Sequence, residues 1–295
     1  MSTPQLFRTI LYPTDFSKPS EAIAGHVAGL AKASGARVCL FSVVPHCIDF
    51  HGASESYFSP MSEGGIITLE TTRKGLELEC KQQLETLQKR YFDPETSYVS
   101  VTSGGVAEEI IEKSKDLPAD LIMMSTRGHG PMRRFLIGSV AAKVLHDAKC
   151  AVWTNPHPTE LEPFRPYRHV VLAVDYLGWP PELLLRAARV AQLFNAELSV
   201  LSAIPQHYCN GGEATGKHRR DMIKAIESRI ASMNISARVH VMEGTPGAVV
   251  RHVAEEIERA DLVITGRGHL DESMGHLRTH AYEIIASAPC PVISL

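Results

Sequence analysis

Ser125, Gly128, Gly138 and Ser139 are the residues whose types and spacing suit them to hold a ligand. They lie in residues 125–142, STRGHGPMRRFLIGSVAA, after the apolar run DLIMM at 120–124 and before a helix-like segment that reaches His146. A strand, a glycine-bearing loop and a helix opening at Gly138-Ser139 present bare backbone N–H groups to an anion. Glycine at 128 and 138 lets the main chain approach a ligand closely, and Ser139 offers a hydroxyl and a helix N-cap. A phosphate suits that arrangement. Taken alone, Gly138-Ser139 is also a common helix start, and Asp15 is also an ordinary cap for the helix after it.

The elements that position these residues come in two copies. The segment TILYPTD at 9–15 matches HVVLAVD at 169–175, an offset of 160 that also carries Gly35 to Asn195 and Pro45 to Pro205. Later, Ser125 maps to Thr265 and Cys150 to Cys290 at an offset of 140, so the first copy holds 20 extra residues between Pro45 and Ser125. The chain of 295 residues divides into a domain at 1–155, a linker at 156–168 containing four prolines, and a second domain at 169–295. In the first copy, patterning predicts strands at 9–12, 38–44, 98–102, 120–124 and 151–154. Helices are expected after Ser17 or Ser20, at 66–90, at 106–115 and from Ser139. Gly35, and Asn195 in the second copy, suit a left-handed helix end. The segment at 46–63 reads as a surface insertion. The second copy repeats the scheme, with strands at 170–174, 198–204, 238–242, 261–264 and 291–295 and helices at 181–194, 218–233 and 248–260. Alternating strands and helices specify an α/β fold, two tandem open sheets with helices on both faces.

The glycine loop resembles the nucleotide-binding loop of the universal stress protein (UspA) family, whose pattern is Gly, two residues, Gly, nine residues, then Gly-Ser or Gly-Thr. Ser125 stands at the first glycine, while Gly128, Gly138 and Ser139 keep their places; Tyr12-Pro13-Thr14-Asp15 and Lys149-Cys150-Ala151-Val152 are also similar to that family. The resemblance covers nearly the whole chain, twice. It implies Rossmann-like domains, each a parallel five-stranded sheet in the order 3-2-1-4-5, whose winding reverses between strands one and four, where such sheets bind ligands. It also implies ATP, AMP or ADP there, with Pro13, Thr14, Asp15 and Val43 at the adenine and ribose end. Met124 and Ser125 form the floor, and Gly128, Gly138, Ser139 and Val140 surround the phosphates. Arg127, Arg133 and Arg134 would supply countercharge. Mg²⁺ or Mn²⁺ would sit on the phosphates, held by phosphate oxygens and water. Family members pair through their last strands, which implies a pseudo-two-fold pairing of the two domains within the chain, with a homodimer as a further option.

The second copy departs from this pattern. Gly268 and Asp175 keep the places of Gly128 and Asp15, but Arg278-Thr279 replaces Gly138-Ser139, Leu270 replaces Gly130 and Ala203 replaces Val43. The second domain is therefore expected not to bind ATP in the family's manner.

Bulk properties exclude several classes. A net charge of -3 without Lys/Arg runs argues against nucleic acid. Apolar runs are strand-sized, short of the roughly 18 residues of a membrane helix, and the six cysteines form no CxxC pair, so a cytoplasmic protein is expected. The chain lacks a Walker-type phosphate loop, a GxSxG elbow and an HExxH helix, and no residue stands out as a general base; it is expected to be at most a slow ATPase, with no catalytic residue assigned. His46, Cys47, Asp49 and His51, with His207 and Cys209, keep a metal-binding reading open against that of solvated loops, and His276 and His280 share a helix face. Two functions remain: a nucleotide-dependent stress regulator, or a scaffold or small-ligand or metal-binding stress protein working through domain 2 or the 46–63 insertion.

Overall fold

Apolar strand-length runs, punctuated by helix caps, set the order of elements. The computed structural model describes residues 5–45, 63–127, 137–155, 163–175, 179–204, 213–266 and 279–295, with backbone only at 63–70, 213–215 and 279. In the first domain, β1 (Thr9–Pro13) leads to α1 (Lys18–Ala22), capped by Ser17, whose hydroxyl accepts from the Ser20 N–H. Next, α2 (Ala24–Ser34) closes on Gly35 at φ 68°. The order continues β2 (Arg37–Pro45), α3 (Glu63–Tyr91), β3 (Ser97–Gly104), α4 (Val106–Asp116), β4 (Leu121–Ser125), α5 (Ser139–Asp147) and β5 (Ala151–Asn155).

The second domain runs β6 (His169–Val174), α6 (Pro181–Phe194), β7 (Glu197–Ile204), α7 (Glu213–Ser232), β8 (Arg238–Glu243) and α8 (Pro246–His252), which passes into a π-helical turn at Val253–Ile257. It ends with β9 (Leu262–Thr265), α9 (Thr279–Ser287) and β10 (Val292–Ser294). Asn195 closes α6 at φ 53°, the left-handed role that Gly35 plays after α2. Helices α3, α7 and α8 begin earlier than the sequence pattern suggests.

The strands form one ten-stranded sheet in the order β3-β2-β1-β4-β5-β10-β9-β6-β7-β8. Each half is parallel in the order 3-2-1-4-5, and the halves meet where β5 and β10 run antiparallel, with Trp153 opposite Ile293. One apolar cluster lies on each face and spans both halves. The first packs Ile10, Leu40, Trp153 and Leu172 against α2, α3, α6 and α7 through Leu30, Leu84, Leu184 and Ile230. The second packs Leu11, Phe41, Ile122, Val152 and Val263 against α4, α5, α8 and α9 through Ile110, Val144, Val250 and Ile285. Central strands buried on both faces explain the unbroken apolar runs.

Asp120 and Asp261 lie just before their strands. Asp120 Oδ2 accepts from the N–H groups of Arg8 (2.8 Å) and Thr9 (3.1 Å), and Asp261 Oδ2 does the same for Arg168 (2.6 Å) and His169 (3.0 Å). These matched carboxylates anchor the starts of β1 and β6. Strand register then corrects the mapping between domains: Ile10 pairs with Leu121, and its counterpart Val170 with Leu262, an offset of 141 rather than 140. Ser125 therefore corresponds to Gly266, not Thr265, and domain 1 has one more residue between this strand and the following helix.

Residues 163–168 are packed instead of acting as a bare spacer. Trp153 donates its indole N–H to the Tyr167 hydroxyl at 3.2 Å, and Phe164 lies edge-on to His26 and Tyr167. Phe164 also sits against Gly29, where a Cβ would fall 2.1 Å from the ring. Proline content alone conceals that aromatic contact.

Candidate functional site

The side-by-side pairing of β1 with β4 brings their carboxyl ends together, so Asp15 and residues 125–127, far apart in sequence, follow neighbouring strand ends, the place where open parallel sheets bind ligands. Pro13, the last residue of β1, and Thr14 are buried, and Asp15 is exposed. Asp15 Oδ1 accepts from the Ser17 N–H (3.1 Å), the Ser17 hydroxyl (2.6 Å) and the Ser20 hydroxyl (2.7 Å). Thr14 shares a hydrogen bond with Ser20 between their hydroxyls at 3.0 Å, and Tyr12 donates to the Ser20 carbonyl at 2.6 Å. Asp15 thus belongs to a hydroxyl network that also starts α1, and its carboxylate is aimed by it. Burial, the largest influence, pushes the Tyr12 phenol far above its ordinary pKa, so it remains a donor at neutral pH.

Beyond β4, the Ser125 hydroxyl donates to the Arg127 carbonyl at 2.7 Å and accepts from the Arg127 N–H at 3.2 Å. That hydroxyl closes a local turn, which a glycine at this place could not do. Arg127 is half-buried, and its Nε is buried without a hydrogen-bond partner among the described residues. Val43 and Val140 pack against the second apolar cluster, to which Met124 and Ile137 belong. Gly128, Gly130, Arg133 and Arg134 lie outside the described residues, as do His46, Cys47, Asp49, His51, His207, Cys209, Gly268, Leu270, His276 and Arg278. Among the described residues no group of three or more His, Cys, Asp or Glu side chains could hold a metal ion.

The start of α5 differs from the sequence expectation. Gly138 is the N-cap, with φ -64° and ψ 154°, and Ser139 is the first helical residue, so Ser139 cannot cap the helix itself. No side chain caps α5 among the described residues, and its first turn carries no acidic residue. The first intrahelical bond runs from Ala142 N–H to the Gly138 carbonyl at 2.8 Å, which leaves the amides of Ser139, Val140 and Ala141 ahead of the ladder. These donors and the helix dipole favour an anion. Space at Gly138 is tight: its N–H donates to the Thr126 carbonyl at 2.8 Å, and a Cβ would stand 3.2 Å from that oxygen, which would have to give way slightly.

Thr126 is the residue that sequence reasoning missed. Almost fully buried, it takes the Gly138 N–H on its carbonyl and donates its hydroxyl to the Asn155 carbonyl at 2.8 Å. It therefore joins the ends of β4 and β5 to the start of α5. The only sequence signal is the extra residue that Thr126 adds, visible once the strands are placed in register.

No helix among the described residues is long and apolar enough to cross a membrane. The Universal stress protein family matches this chain twice, over residues 6–155 and 166–294. The chain is 30% identical over 157 residues to a universal stress protein of Methanocaldococcus jannaschii, a match covering 52% of this chain and 84% of the relative. It is 28% identical over 152 residues to one from Methanothermobacter thermautotrophicus, covering 50% and 94%. Its fold matches the crystal structure of a universal stress protein from Archaeoglobus fulgidus with a TM-score of 0.63 at 22% identity, over 98% of this chain and 96% of that one. With both halves matched and both folded as the same α/β sheet, the chain belongs to the universal stress protein family as two tandem copies of its domain.

Proposed function

We propose that domain 1, taken as residues 1–155, binds ATP or a related adenine nucleotide at the crevice between β1 and β4, and that the loaded and empty forms regulate a stress response. The observation that carries this reading is the start of α5, which no side chain caps among the described residues and which the Gly138–Thr126 bond holds beside the end of β4. The Nε of Arg127, buried and without a hydrogen-bond partner among the described residues, supports it, since such a donor is costly unless a partner meets it. In this reading the α5 amides and Gly138 face the phosphates, Arg127 adds countercharge, and Asp15 with Val43 receives the ribose and adenine. Mg²⁺ or Mn²⁺ rides on the phosphates. Domain 2, after the linker at 156–168, serves as the in-chain partner of domain 1, because β10 occupies the edge of β5. Titration of the full chain with Mg-ATP tests the proposal: saturable binding at one site per chain supports it, and no heat or fluorescence change up to millimolar nucleotide refutes it.

A further inference from the structure

The peptide unit joining Ile137 to Gly138 is held from both domains. Its N–H, on Gly138, donates to the Thr126 carbonyl at 2.8 Å, within domain 1. Its carbonyl, on Ile137, accepts from the Tyr282 hydroxyl at 3.4 Å, and Tyr282 lies in the first turn of α9, in domain 2. A planar trans peptide points these two groups in opposite directions, so fixing both ends fixes the plane. That plane sets how the chain enters α5, and hence where the amides of Ser139, Val140 and Ala141 point.

Packing reinforces the bond. Ile137 is buried in the second apolar cluster with Val144 of α5 and Ile284 and Ile285 of α9, and Tyr282 packs against the same cluster. Burial raises the phenol's pKa above its ordinary value, so the hydroxyl is a donor throughout the neutral range. The contact is one-sided: α5 and α9 correspond at an offset of 140, which places Ala142 where α9 has Tyr282, and alanine has no hydroxyl to return the bond.

We infer that Tyr282 is a positioning residue for the anion-binding start of α5, a contribution of domain 2 to the site of domain 1. The inference rests on the nucleotide reading for its functional consequence, but the positioning itself is measurable without nucleotide. Domain 2 then has a role that its degenerate loop does not supply, and a change in the first turn of α9 is felt at the phosphates.

Tyr282→Phe keeps the ring and its packing and removes only the hydroxyl. Hydrogen exchange at the Gly138 and Ala142 amides, both bonded within this turn, is compared between the nucleotide-free wild type and Tyr282→Phe, with the urea midpoint as a control for global stability. Faster exchange at these two amides, an unchanged urea midpoint and ATP binding weakened about three- to ten-fold are expected. Faster exchange in a protein whose wild type binds no ATP supports the positioning role and refutes the nucleotide reading. Unchanged exchange, or unchanged ATP affinity where the wild type binds, overturns the inference and leaves the nucleotide reading standing.

Discussion

At the carboxyl end of β1 and just after it, domain 1 carries Tyr12, Thr14, Asp15, Ser17 and Ser20, joined by hydrogen bonds, whereas the same places in domain 2 hold Leu172, Val174, Asp175, Leu177 and Pro180. Helix α1 starts on a serine cap, while α6 starts at Pro180 with no side-chain cap. Beyond β4, Ser125 and Thr126 close a turn and tie three elements together; beyond β9, Gly266 occupies the place of Ser125. The anchors of the fold survive in both copies, namely Asp120 and Asp261, and Gly35 and Asn195. Duplication has preserved what builds the sheet, and among the described residues the hydroxyl network at the strand ends belongs to domain 1. Domain 2 places its buried charge at the opposite end of its strands, where Glu258 pairs with Arg238 at 2.7 Å and His240 at 2.5 Å.

The largest effect is expected from Gly138→Arg, which imports the residue of domain 2. Its φ of -64° suits any residue, but the new Cβ must displace the Thr126 carbonyl slightly and the long side chain fills the space before the α5 amides. Calorimetric titration should show ATP affinity reduced by about 100-fold or more, roughly 2.7 kcal/mol, with far-ultraviolet circular dichroism unchanged.

Next, Glu258→Ala should destabilise the chain by about 1–3 kcal/mol in urea unfolding, because it removes the buried carboxylate that meets His240 and one of the two carboxylates that meet Arg238, which keeps Glu197, while the number of bound nucleotides stays the same. Loss of nucleotide binding in that variant would break the separation between the two ends of the sheet.

How the halves differ was only partly legible in the sequence. The apolar run at 38–44, the glycine and asparagine helix ends and the repeat itself disclose the sheets, because burial on both faces and left-handed caps constrain residue type. Gly138 and Asp15 stood out through the spacing of the glycine loop and the resemblance to the family's pattern. The role of Thr126 did not, since it depends on a one-residue shift that matched loop residues concealed. Nor did the seat of Phe164 on Gly29 or the reach of Tyr282 to Ile137, as contacts between distant segments leave no local pattern.

A smaller effect concerns Cys39, whose domain 2 counterpart is Ser199. Burial pushes the Cys39 thiol from 9.0 up to about 11. Because the folded value lies above the unfolded one, its contribution is complete below pH about 9 and is lost as pH rises to about 11. Urea unfolding across that window should show stability falling by about 1–2 kcal/mol more in the wild type than in Cys39→Ser.

The smallest effect sharpens the comparison most. Arg278→Gly restores the glycine of the family pattern to domain 2 but not the hydroxyl network, so equilibrium dialysis should still give one nucleotide per chain. A second bound nucleotide would show that the arginine alone had closed that site.

The central claim is that one copy binds nucleotide and the other does not. Its most direct test is to denature gently purified, Mg-ATP-equilibrated protein, quantify the released adenine nucleotide by chromatography and divide by chain concentration. The account predicts about one nucleotide per chain; a value near two, or none at all, would contradict it.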